Sequence, residues 1–261
     1  MADPVVTFYD IDDLNEMDDD ENPDSIGTVS AGSTSAPAQI NIWNNKEGVG
    51  DVSKMENVRI TTVTMNGLSE GDTVVNGKEI VENRIIAVKS LTNGDSNFTN
   101  IGGVTTKTLA DIRGDKLATP GQPSGTVVDD VGSNLPIGSY YYKVSALDET
   151  GETLAGLESS EVVVGAVDKA VDLEWDAVEG ASSYKIYRTS TTGVYGSTSL
   201  LATVETNSFT DNLASPDTGE PLSSATVTYG HKHMIQRRAE VPTTASAGPM
   251  SWKYRVMYSY V

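Results

Sequence analysis

The chain has no cysteine among its 261 residues. No disulfide can staple it, and no thiolate can serve as nucleophile or metal ligand. Histidine is down to His231 and His233, so base catalysis near neutrality has almost nothing to draw on. No apolar run is long enough to span a bilayer, and Met1-Ala2-Asp3-Pro4 does not read as a signal peptide. The expectation is a protein made in a cytoplasm, with no membrane partner. Cations are scarce too: 18 Lys and Arg stand against 37 Asp and Glu, a net charge of −19. That argues against nucleic acid, because binding a phosphate backbone needs a cationic surface. Sustained helical periodicity is also missing.

Val, Thr, Gly and period-two alternation are what is present, and they predict an all-β chain. Val171, Leu173 and Trp175 alternate with Asp172 and Glu174, the pattern of a strand with one buried and one wet face. Gly180-Ala181 supplies a corner. Tyr184, Ile186 and Arg188 then share one face of the next strand, with Lys185 and Tyr187 on the other. Upstream lie the Tyr-rich run Gly138–Ala146, then Gly151-Glu152 and Ser159-Ser160-Glu161. Downstream lies Ser208-Phe209-Thr210-Asp211.

Residues 118–224 thereby resemble the fibronectin type III family, in the Trp strand, the Gly-Ala corner and the Tyr184-to-Arg188 strand. The Tyr-rich strand and its hairpin come last in that family, whereas here they come first. The resemblance therefore implies a circularly permuted Ig-like β-sandwich, similar to modules of bacteriophage tail, fibre and capsid-surface proteins. Trp175, Tyr142, Val144, Leu173 and Ile186 should be buried together. The Tyr140–Ala146 strand should pair with Glu161–Val164 and lie beside Tyr184–Arg188.

Residues 40–117 read as a small β domain. Val58–Thr64 and Arg84–Leu91 are strands. Asn66-Gly67, Asn76-Gly77 and Asn93-Gly94 are turn dipeptides. Residues 97–103 are a strand end with a tight turn, and Leu109–Leu117 holds a short helical turn. Residues 225–261 carry five Lys or Arg against one acid, with Trp252, Tyr254, Val256, Tyr258 and Tyr260 on one face of a last strand. A lone strand cannot bury such a face. It should add to the 40–117 domain, which makes the sandwich an insertion, or else join a neighbouring copy.

Residues 1–39 are a polar arm. Nine acids crowd into residues 10–24, and no Lys or Arg precedes Lys46. One reading is a solvated extended tail. Another is an acidic docking arm that reaches a neighbouring subunit, with Asp10, Asp12, Asp13, Asp18, Asp19 and Asp20 facing Arg237, Arg238, Lys253 and Arg255. A calcium loop is a third, since Asp18, Asp20 and Asn22 resemble the start of an EF-hand; but Pro23 stands where Gly is required and Val29 where Glu is.

Chemistry finds little support. No Gly-x-Ser-x-Gly elbow exists, and the Gly102-Gly103 pair lacks the helix and Lys of a phosphate loop. His231 and His233 share a strand face; two imidazoles at that spacing can bind a transition metal, with six nitrogens around one ion if three copies met on an axis, or they are exposed strand or loop histidines. Tyr141, Tyr187 and Tyr195 could stack on sugars or serve as ordinary sandwich-surface residues. The sequence thus predicts no enzyme, no cofactor and no resident metal. It points to a structural subunit of a bacteriophage virion, a homo-oligomer whose partners are its own copies and other virion proteins. The alternative is an adhesive module that binds bacterial surface polysaccharide.

Overall fold

A computed structural model describes residues 2–18, 22–46, 48–67, 78–212, 215–246 and 248–260. The chain is all-β and divides into two compact units. The first comprises residues 1–115 and 229–261, and the second, residues 116–228, is inserted between them. In chain order the elements are β1 (Val6–Tyr9), β2 (Ala38–Asn44), β3 (Met55–Val63), α1 (Lys78–Glu82), β4 (Ile86–Ser90), β5 (Thr99–Ile101) and β6 (Lys107–Thr108). The inserted unit contributes β7 (Ser124–Asp129), β8 (Gly138–Leu147), β9 (Val162–Val164), β10 (Lys169–Glu174), β11 (Ser183–Thr189), β12 (Leu200–Val204) and β13 (Ser208–Asp211). β14 (His231–Ala239) and β15 (Lys253–Tyr260) return to the first unit.

In the first unit a five-stranded antiparallel sheet, β1-β2-β14-β4-β5, accompanies a three-stranded one, β15-β3-β6. Ile40, Ile42, Val88 and Ile235 from the larger sheet share a core with Val58 and Ile60 from the smaller. The aromatic face of β15 could not be buried alone, and β3 supplies the sheet it joins, with Tyr254 opposite Thr62 and Val256 opposite Ile60. Trp252, Tyr254, Val256 and Tyr258 are only partly buried against that core, and Tyr260 is 51% exposed. The register shifts by one residue where Asn57, at φ 53°, opens a bulge in β3.

Two expectations for this unit are corrected. The acidic arm is not a bare tail, because β1 pairs with β2 from Val6 opposite Asn44 to Tyr9 opposite Asn41. Its Phe8 ring stacks on Tyr254 with centroids 5.8 Å apart. The helical turn expected at Leu109–Leu117 is absent. That segment runs extended along β3, with Leu109 N–H donating to Val58 O and Ile112 exchanging main-chain bonds with Met55, because its Leu and Ile side chains are drawn into the core. The helix lies at α1 instead. Gly67 (φ 74°) and Gly94 (φ 72°) turn the chain as Asn-Gly pairs should, whereas the Asn76-Gly77 turn lies outside the described residues.

The second unit holds a three-stranded sheet, β13-β10-β7, and a four-stranded sheet, β12-β11-β8-β9. Leu173, Trp175, Tyr142, Val144 and Ile186 are buried in one cluster, as their shared alternation phase requires. Trp175 meets Tyr184 edge-on at 5.4 Å. β8 pairs with β9 (Tyr140 opposite Val162) and with β11 (Ile186 opposite Val144).

Candidate assembly surface

β14 organises the first polar constellation. Its alternation puts His231, His233, Ile235, Arg237 and Ala239 on the buried side, with Lys232, Met234, Gln236 and Arg238 on the other. An arginine on the buried phase must be met by a counter-charge, because an unpaired buried charge is costly. The acidic arm supplies it. Asp24 accepts from Arg237 Nε at 2.9 Å and from its Nη2, while the Tyr254 hydroxyl donates to the same carboxylate at 3.0 Å. Arg237 also donates to Ser25 O at 3.1 Å. The Arg237 and Asp24 side chains are 7% and 10% exposed. Burial opposes the charge on Arg237, but the bond and attraction to Asp24 overcome it and hold the guanidinium above its usual range. Burial drives the Tyr254 hydroxyl well up and Asp24 adds to that, so Tyr254 stays a donor.

A second contact lies on the other side of β14. Asp10 closes a turn by accepting from Leu14 N at 3.0 Å and Asn15 Nδ2 at 2.5 Å. The turn presents Asp13, at φ 57°, to Trp43 Nε1 (2.6 Å), Asn41 Nδ2 (2.8 Å) and the Lys232 ammonium. Burial works against ionisation of Asp13, but bonds from Lys232, Trp43 and Asn41 outweigh it and keep the carboxyl below its usual range. Together the two contacts form an electrostatic latch that closes the arm onto its own core.

The residues proposed from sequence as one docking surface therefore separate. Asp10, Asp13 and Arg237 belong to the latch. Asp12 is exposed, and Asp18 Oδ1 accepts from Asn22 N at 3.4 Å. Arg238 binds Glu240 at 2.5 Å and stands over the Phe98 ring at 4.0 Å. Arg255 donates to Gly67 O, and Lys253 sits opposite Val63 in the sheet. Asp19 and Asp20 lie outside the described residues. Within one chain the segregated charges already meet: the Asp24–Arg237 pair is buried, and Asp13 and Lys232 are largely covered. Asp24, Lys232, Trp43 and Tyr254 were missing from the proposed contacts. The inward phase of Arg237 beside Ile235 was the signal that could have found Asp24.

The two histidines are not exposed strand or loop residues. Both are buried, and His233 Nε2 lies 2.7 Å from Ser90 Oγ. Desolvation pushes His233 down to about 4, against the smaller opposing pull of Asp95, so the ring is neutral at pH 7.

In the second unit, polar clusters tie the sheets and hairpins. Buried Asp211 accepts from the Tyr142 hydroxyl at 2.8 Å and from Arg188 Nη1 at 2.9 Å, which joins β13 to β8 and β11. Glu152 accepts from Ser145 Oγ (2.6 Å), Lys185 Nζ (2.6 Å) and the Tyr187 hydroxyl (2.7 Å). Tyr187, counted among the exposed aromatics, is 1% exposed; its hydroxyl is committed to Glu152 and its ring cannot stack on a ligand. Tyr141 and Tyr195 are half-buried, with Lys143 5.2 Å from the Tyr195 ring centroid.

These constellations hold elements together through charge-assisted hydrogen bonds. Comparison with protein-family models, with curated proteins and with solved structures gives no match to the chain.

Proposed function

We propose that this chain is a non-enzymatic structural subunit of a bacteriophage particle, working by protein–protein assembly. The second unit carries the reading. Its three-plus-four sandwich places the Tyr-rich β8–β9 hairpin before the β10–β11 pair. That is the order expected of a fibronectin type III-like module whose last hairpin has moved to the front, as in the phage surface modules that the sequence resembles. The module enters and leaves through a single break in the first unit, between Asp115 and Tyr229. Such an arrangement suits an appended surface domain on an assembling base.

Mass spectrometry of particles purified from the phage that encodes the chain tests this. The expected result is a stoichiometric component that stays with the particle through density-gradient sedimentation. Its absence from purified particles would overturn the reading. Of Tyr141, Tyr187 and Tyr195, the aromatics that could stack on sugars in an adhesive module, Tyr187 is closed off by its burial. A glycan array probed with the intact chain is expected to stay blank.

A further inference from the structure

We infer that the seat of the acidic arm is an exchange site, in which the N-terminal segment through Ile26 of one copy occupies the core of a second copy. This rests on the assembly reading above and names the partner and the contact. The seat recognises its occupant by chemistry that any copy supplies. Arg237 and the Tyr254 hydroxyl take up Asp24, Lys232 and Trp43 take up Asp13, and the Tyr254 ring takes up Phe8. Exchange of an identical segment preserves each of these contacts, so the closed and exchanged states differ chiefly in the hinge and in copy concentration.

Three features of the segment favour release. Among the described residues, the main chain from 22 to 31 makes no hydrogen bond to main-chain groups of the core. The arm covers the core incompletely: Met17, Ile26 and Val29 pack against it but stay only partly buried, and clefts of about 520 and 820 Å³ open between residues of the arm and of the core. Ile26 borders both. Interiors without such gaps keep the dispersion contacts that this one forgoes. Finally, the chain behind Ile26 is built to swing. Gly27 sits at φ 75° in open space, where a side chain's Cβ would meet nothing within 4 Å; Thr28, Ser30 and Ala31 are exposed, and Val29 alone among these five residues rests, half-buried, against the core. Beyond them the chain is fixed again, where Gly32 N–H donates to Val241 O and Ser35 N–H to Ala239 O. Five residues between Ile26 and Gly32 can span about 17 Å, enough to redirect the segment to an adjacent core.

Charge reversal tests this in the full chain. D24R and R237D each break the Asp24–Arg237 contact within one chain and between like chains. Mixed together, they restore it only by exchange: the altered arm meets the altered core, and the native arm the native core. Co-expressed with a tag on one variant, the pair should form dimers by light scattering, with near-equal capture of the untagged chain. Each variant expressed alone should capture little of itself. Because Arg237 is buried, the same design on the more open contact, D13K with K232D, guards against a folding failure. Monomers and no capture in both pairings would overturn arm exchange. That result would leave the presence of the chain in particles, measured separately, untouched.

Discussion

At the scale of single residues, buried charge decides more than surface charge. Arg188 is 4% exposed and Asp211 fully buried, with the Tyr142 hydroxyl completing the site. Asp211→Asn removes the carboxylate charge that this buried guanidinium binds, and is expected to cost about 3–5 kcal/mol in chemical denaturation of the second unit. Trp175→Ala removes the largest side chain at the end of β10, and should cost roughly 3–5 kcal/mol in the same measurement. His233 gives the first unit a pH dependence. Its folded value of about 4 lies below the ordinary 6.5, so the unfolded chain takes up a proton that the folded chain refuses. Stability is complete above pH 6.5 and falls as the pH drops toward 4, by up to about 3 kcal/mol. Carboxyls held low, such as Asp13 and Glu152, begin to lose their contribution as the pH falls through the ordinary carboxylate range, at the acid end of the same window. Melting of H233N between pH 7 and 4 should show a flatter slope than the parent chain; an equal slope would place the effect elsewhere.

At the scale of elements, the two ends of the chain are structural parts of the first unit. β15 supplies the partner of β3 over most of its length. Deleting residues 252–261 should unfold the first unit and leave the second with its own melting transition, read by near-ultraviolet circular dichroism. Removing residues 2–24 is expected to act in the same unit for a different reason. It strips β1 from the edge of the five-stranded sheet and leaves Arg237 buried without Asp24. A loss of several kcal/mol is expected, since a stranded buried charge alone costs about 3–5 kcal/mol. Unchanged melting after that truncation would show that the latch carries no stability. The sequence placed β15 in this unit through the alternation of Trp252, Tyr254, Val256 and Tyr258. It could not place β1, because Val6–Tyr9 is a four-residue strand with no turn signal linking it to its partner some thirty residues on.

At the scale of the whole molecule, the second unit has a core of its own, centred on Tyr142, Val144, Leu173, Trp175 and Ile186. A fragment of residues 116–228 should therefore fold cooperatively, with a single transition and a stability in the ordinary range of about 5–15 kcal/mol. A fragment that stays unfolded would mean that the inserted unit depends on its host. The first unit cannot be cut out as one continuous segment, because β14 stands between β2 and β4 in its larger sheet.

The sequence by itself determined the all-β fold class and the core of the second unit, and it offered the insertion as one of two readings of the last strand. These follow from local alternation, where each side chain's phase on a strand fixes which face it takes. The Tyr-rich strand, the Trp strand and the Tyr184–Arg188 strand carry that phase within a few residues of chain. What the arm does, whether Tyr187 is exposed, and which way His233 points were decided only by tertiary structure. Tyr187 has the outward phase on β11, yet the hairpin carrying Glu152 folds across it. Asp24 meets Arg237 across more than two hundred residues of chain, where the sequence offered only two segments of opposite charge. Contacts of that kind depend on which surfaces the folded sheets bring together, and no local pattern encodes them.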